Sequence, residues 1–136
     1  MLTLDDYFGR FSLAAGEEPT EDVKANAVEL LNRVNALLER ITSDAGLAEA
    51  ASPVVNSGWR SAAYNLTIPN AAPKSKHITG QAIDLADPEG ELDQYLMDYR
   101  TLLMDYGLWL EHPLATKGWT HLQSVAPRSG NRVFYP

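Results

Sequence analysis

From Thr20 onward, the apolar residues Val23, Ala27, Leu30, Leu31, Val34, Leu37, Leu38 and Ile41 recur at spacings of three and four. That period puts them on one face of a single helix, and an apolar stripe of this length has to pack against a core. Thr20 is placed to cap the first turn, Glu21 and Asp22 suit the positive end of the helix dipole, and Gly46 lies just past the stop. This helix, spanning about 20–45, reads as scaffold.

A second helix is signalled by Asp87 as cap and Pro88 in the first turn. Leu92, Leu96, Tyr99, Leu102, Leu103 and Tyr106 then form one face, with Gly107 as terminator. The acidic run Asp87, Glu89, Glu91 and Asp93 lacks the glycine and closing glutamate of a calcium loop, so it reads as a solvated helix start. Short strands are expected at Val54 to Trp59, Ala82 to Ala86, Leu108 to Glu111 and Trp119 to Gln123, separated by Pro, Gly and Asn. Residues 61–76 read as a long loop of the functional kind and 124–136 as a tail that wraps the surface. The class is α+β.

The 136 residues fit one compact domain, 1–136, and the 45% hydrophobic content is enough for a real core. With no cysteine, any metal must be held by histidine and carboxylate. A formal charge of -7 argues against a nucleic-acid partner and a polybasic membrane anchor. Neither a signal peptide nor a run of eighteen apolar residues is present, so unaided secretion is not expected. The oligomeric state is left open.

Only three histidines exist, and two sit in unusual company: Ser75-Lys76-His77-Ile78-Thr79-Gly80-Gln81-Ala82-Ile83-Asp84, then Trp119-Thr120-His121. An open catalytic zinc site needs three nitrogen or carboxylate ligands plus a position for water, which His77, Asp84 and His121 supply. Gly80 lets the chain turn between His77 and the strand carrying Asp84. A His and an Asp seven positions apart are weak evidence alone, because such pairs also occur as ordinary hydrogen-bonded groups. The whole string S-x-H-x-x-G-x-A-x-D followed by W-x-H, however, resembles the zinc D-Ala-D-Ala carboxypeptidase and L-alanyl-D-glutamate endopeptidase superfamily, with its lysostaphin-like and hedgehog-type domains. The resemblance covers about 54–123. It implies a small antiparallel sheet carrying the metal, packed with helices.

Ser57-Gly58-Trp59-Arg60-Ser61 is similar to the G-[YW]-R-S segment that precedes the metal loop in these peptidases. By that resemblance Arg60 presents its forked guanidinium to a substrate carboxylate or a developing oxyanion. The structural alternative is a surface ion pair. Trp59, Tyr64 and Ser75 are the accompanying candidates for the substrate groove, although single aromatics such as Trp59 and Tyr64 are more often packing residues.

A general base is also needed. Many relatives carry Glu or Asp three residues before the last histidine, where this chain has Gly118. Glu111, on the expected partner strand, is the preferred base, with His112 as the rival; a one-residue change of register would exchange them. The resemblance implies zinc-dependent hydrolysis of peptidoglycan stem peptides by a phage or prophage enzyme. Such an enzyme would wait in the host cytoplasm until released to the cell wall, or would ride on the virion. A zinc-binding module without hydrolysis and a virion structural component on the same fold are the alternatives.

Overall fold

The computed structural model describes residues 1–9 and 16–136. In chain order it contains α1 (Leu4–Phe8), α2 (Glu21–Ala45), α3 (Ala48–Ala51), β1 (Val55–Ser57), α4 (Ala62–Leu66), β2 (Ala82–Asp87), α5 (Glu91–Asp98), α6 (Thr101–Asp105), β3 (Trp109–Glu111), a 3-10 turn at Pro113–Ala115, β4 (Gly118–Gln123) and β5 (Val133–Phe134). The fold is α+β, built on a five-stranded sheet of order β1-β2-β4-β3-β5. All its pairs are antiparallel except β3 with β5.

Helix α2 follows its sequence signals. The Thr20 side chain accepts a hydrogen bond from the Val23 amide, and Gly46 ends the helix at φ 63°. Ala27, Leu30, Leu31, Val34, Leu37, Leu38 and Ile41 are all buried, in one cluster with Ile83, Leu85, Leu110 and Leu122 from the sheet. Truncating one such leucine to alanine costs about 2–5 kcal/mol.

Strand side chains alternate, so the positions between these apolar ones face the other way. Ile83 and Leu85 on β2, Leu122 on β4 and Leu110 on β3 face the helix. Asp84, His121, Gln123 and Glu111 therefore line the opposite face. The hydrophobic pattern that fixes the core thus also fixes which side carries the polar residues.

Four expectations are corrected. The second helix is two helices broken at Tyr99–Arg100, and Tyr99 is exposed rather than on the apolar face. Its first part starts at Glu91 after Gly90 at φ 70°, while Asp87 stays in β2 and its carboxylate reaches the Leu92 and Asp93 amides at 3.1 and 2.9 Å. Only half of the acidic run is solvated: Glu89 and Glu91 are exposed, whereas Asp87 and Asp93 are buried among β4 and α5. The loop at 61–76 contains helix α4, whose Ser61 side chain caps Tyr64, and the tail contributes strand β5. Such short elements carry too little periodicity to be read from sequence.

Candidate metal centre

Asp84 and His121 lie directly opposite each other across the β2–β4 ladder, and Ser57 of β1 pairs with Asp84 from the other side. His77 arrives from the turn before β2. Its amide donates to Ser75 Oγ at 3.2 Å, and its carbonyl accepts from the Arg60 amide at 3.2 Å. Gly80 completes the turn at φ +75°, and a Cβ there would stand 2.6 Å from the Val23 carbonyl oxygen of α2.

Both imidazoles are oriented by their other nitrogen. His77 Nδ1 lies 2.7 Å from the Gly58 carbonyl oxygen, which can only accept, so Nδ1 carries the proton. Nε2 is left facing Asp84 Oδ2 at 3.3 Å. Gly58 permits this because any side chain there would run into the Tyr7 carbonyl. His121 Nε2 lies 3.0 Å from Gln123 Oε1, and the amide of Gln123 is itself fixed by donation to the Val125 carbonyl at 2.9 Å. Gln123 therefore presents an acceptor, His121 Nε2 donates, and Nδ1 is turned to Asp84 Oδ1 at 2.8 Å.

The three ligand atoms lie within 4.8 Å of one another, and all three residues are buried. Two imidazole nitrogens and a carboxylate are the donor set of an open zinc site. The Gly58 carbonyl and the Gln123 side chain hold the outer nitrogens of the two rings, as the hydrogen-bond partners of metal-binding histidines do. The residues fit the metal.

Burial favours neutral Asp84, yet the protonated form of His77, through its charge and hydrogen bond, and that of His121, through its hydrogen bond, hold its carboxyl well below the usual range. Burial pushes His77 down, with Asp84 only partly offsetting it, which favours the neutral, ligating form. For His121 the burial effect is outweighed by the hydrogen bond and charge of Asp84 and by Gln123, so its pKa is raised.

The sequence matches the Peptidase M15 family over residues 15–122, most of the chain. The chain belongs to the peptidase M15 family. No curated protein and no solved structure matches it. M15 members are zinc peptidases, so the family implies a hydrolase acting on peptides. The His77, Asp84 and His121 group of this member can bind a metal. No described helix is long and apolar enough to cross a membrane.

Around this M15 centre, Trp109 pairs with Gln123 and Leu110 with Leu122, and one further step in that register brings Glu111 opposite His121. Glu111 is half-buried and lines the same cavity as His77, Asp84 and His121. Burial raises its pKa, opposed by His121 and reinforced by Asp84. His112 points elsewhere. Its Nδ1 accepts from the Leu114 amide at 3.1 Å, and its ring stacks on Tyr135 with centroids 4.4 Å apart.

Arg60 reaches the centre, with Nη2 3.5 Å from Asp84 Oδ2, while Nε donates to Ser57 Oγ at 3.0 Å and Nη1 to Asn65 Oδ1 at 3.4 Å. Ser75 lines the cleft on both sides of the metal cluster, whereas Trp59 and Tyr64 line neither side. Trp59 is buried, and its Nε1 donates to the Ile78 carbonyl at 3.0 Å, bracing the His77 turn. Gly118 pairs with Asp87 at the far end of β4.

Sequence reasoning missed Gln123, Ser57, Asn65 and Phe134, whose ring meets the edge of His121 at 6.1 Å. Gln123 alone had a signal: it stands two residues after His121 on a strand and so shares its face.

Proposed function

We propose that this chain is a zinc-dependent peptidase that hydrolyses peptide bonds in peptidoglycan stem peptides, in phage-mediated lysis or entry, with His77, Asp84 and His121 as the metal ligands. The observation that carries the reading is the convergence of His77 Nε2, His121 Nδ1 and an ionised Asp84 on one point, with Glu111 on the same face.

When bound, zinc supplies Lewis acidity toward water and toward the scissile carbonyl. Glu111, its proton affinity raised by burial, accepts the proton of the attacking water and returns it to the leaving amine. Arg60, beside the cluster, offers N–H donors to the oxyanion that develops on the carbonyl. Gly58 and Gln123 hold the two imidazoles in their ligating orientation. No covalent intermediate is required.

The alternative of a zinc-binding module without hydrolysis is favoured by Gly118, which stands where many relatives carry a carboxylate. Glu111 supplies a carboxylate on the metal face instead. Mass spectrometry of purified peptidoglycan after incubation with zinc-loaded protein decides between them. Defined stem-peptide fragments support the proposal, and a zinc-loaded protein that leaves the wall intact supports the alternative.

A further inference from the structure

The cleft holding the metal cluster continues past it in two directions. One arm, a cavity of about 560 Å³, is walled by Arg60, Ile68 and Trp119. The other, about 820 Å³, is walled by Lys74, Lys76, Arg128 and Tyr135. Ser75, Glu111 and His121 belong to both, so the two arms meet at the metal cluster. Each lies in the range of about 300–1,000 Å³ that encloses a drug-sized ligand, which leaves room for more than one amino-acid residue on either side. An enzyme that removes a terminal residue needs a wall close beyond the reacting bond on one side. Here neither arm stops at the metal.

The charge of the arms differs as well. The protein carries a formal charge of -7 with only eleven lysines and arginines, yet three of them line the larger arm. Glu111, at its metal end, is the one acid there among the described residues. Lys74, Lys76 and Arg128 make no ion pair or side-chain hydrogen bond among the described residues. Unneutralised cations gathered on one wall of a cleft focus a positive potential into it and select an anionic partner.

Resting on the peptidase reading above, we infer that the enzyme cleaves inside a peptide chain that occupies both arms, and that the segment in the larger arm bears free carboxylates recognised by Lys74, Lys76 and Arg128.

The test uses three synthetic peptides around the bond identified by mass spectrometry: one extended on both sides with free carboxylates, the same peptide with those carboxylates amidated, and one ending a single residue past the bond. Turnover is measured with zinc-loaded protein, and binding with metal-free protein by fluorescence anisotropy. The extended free-carboxylate peptide should have the highest kcat/KM and bind about tenfold more tightly than its amide, from three exposed ion pairs. In the combined Lys74→Gln, Lys76→Gln and Arg128→Gln variant this discrimination should collapse toward unity. The charge-keeping variant Lys74→Arg, Lys76→Arg and Arg128→Lys should retain it, which separates charge from folding.

Equal binding of free and amidated peptides by the wild type, or faster turnover of the truncated peptide, would overturn the inference. If zinc-loaded wild type cleaves no wall peptide, the peptidase reading falls and cleavage within a chain falls with it. The binding comparison on metal-free protein, made then with the free and amidated forms of an intact stem peptide, still decides the anionic arm.

Discussion

On one face of the β2–β4 pair Asp84 meets two imidazoles and a guanidinium; on the other, Asp87 and Asp93 meet hydroxyls and backbone amides. Asp87 is fully buried and accepts from the Leu92 and Asp93 amides and from Thr120 Oγ1 at 3.0 Å. Asp93 accepts from Thr116 Oγ1 at 3.2 Å, and its second oxygen has no hydrogen-bond partner among the described residues. Burial and the neighbouring Asp87 push the Asp93 carboxyl up to about 7, while Asp84 is held low.

Burial of a carboxylate therefore does not by itself mark a site. The difference is what points back at it. Around Asp84 two imidazole nitrogens converge with its carboxylate as the ligands of a cation would, with the Arg60 guanidinium beside them. Around Asp87 the neighbours are donors already paired with its oxygens, which ties β4 to α5. The single leftover oxygen of Asp93 falls far short of a metal ligand set.

The largest effect that can break this contrast is on the metal face. Glu111→Gln should keep zinc and fold while turnover falls by about 10²–10⁴-fold, and His112→Ala should cost much less. Rates, zinc content and thermal unfolding measured in parallel check this, because an active Glu111→Gln beside a dead but folded His112→Ala would reverse the assignment.

Gln123→Met should lower zinc affinity by about 10–100-fold by removing the acceptor that orients His121, whereas Gln123→Glu keeps an acceptor and should retain tighter binding. Competition against a chelator reads this without activity. On the helix-side face Asp87→Asn should cost about 1–3 kcal/mol of stability in urea titrations and leave zinc affinity unchanged. Loss of zinc there would join the two faces that this account separates.

The smallest effect is a pH dependence. Asp93 has a folded-state pKa above its unfolded value of 3.8, so its contribution is fully present below pH 3.8 and lost as pH rises through about 7. Asp84 runs the other way: its contribution is present above 3.8 and lost only as pH falls through its depressed folded-state value. Asp93→Asn should therefore reduce the decline in thermal stability between pH 5 and pH 8. An unchanged decline would assign it to another group.

The long helix was legible because its eight apolar positions repeat at helical spacing, whereas the string of His77, Gly80, Asp84 and His121 stood out only through its resemblance to a family pattern, since a His and an Asp seven positions apart say little alone. The strand pairing that sets Glu111 against His121 was not legible, since two registers fit the same alternation and only the pairing of Leu110 with Leu122 chooses one. The burial of Asp87 and Asp93 was invisible because acidic residues at a helix start are usually solvated, and their partners Thr116 and Thr120 lie far along the chain. Gly58 acts through a backbone carbonyl that no spacing rule singles out, whereas Gln123 had a single signal, its place two residues after His121 on the same strand.

The zinc site proposed at His77, Asp84 and His121 can be read directly. Elemental analysis of protein refolded with zinc and dialysed free of excess tests it, with Asp84→Ala and His121→Ala alongside and circular dichroism to check that both fold. One zinc per wild-type chain is expected, and none retained by either variant. Wild-type protein that keeps no zinc, or His121→Ala that keeps it undiminished, would contradict it.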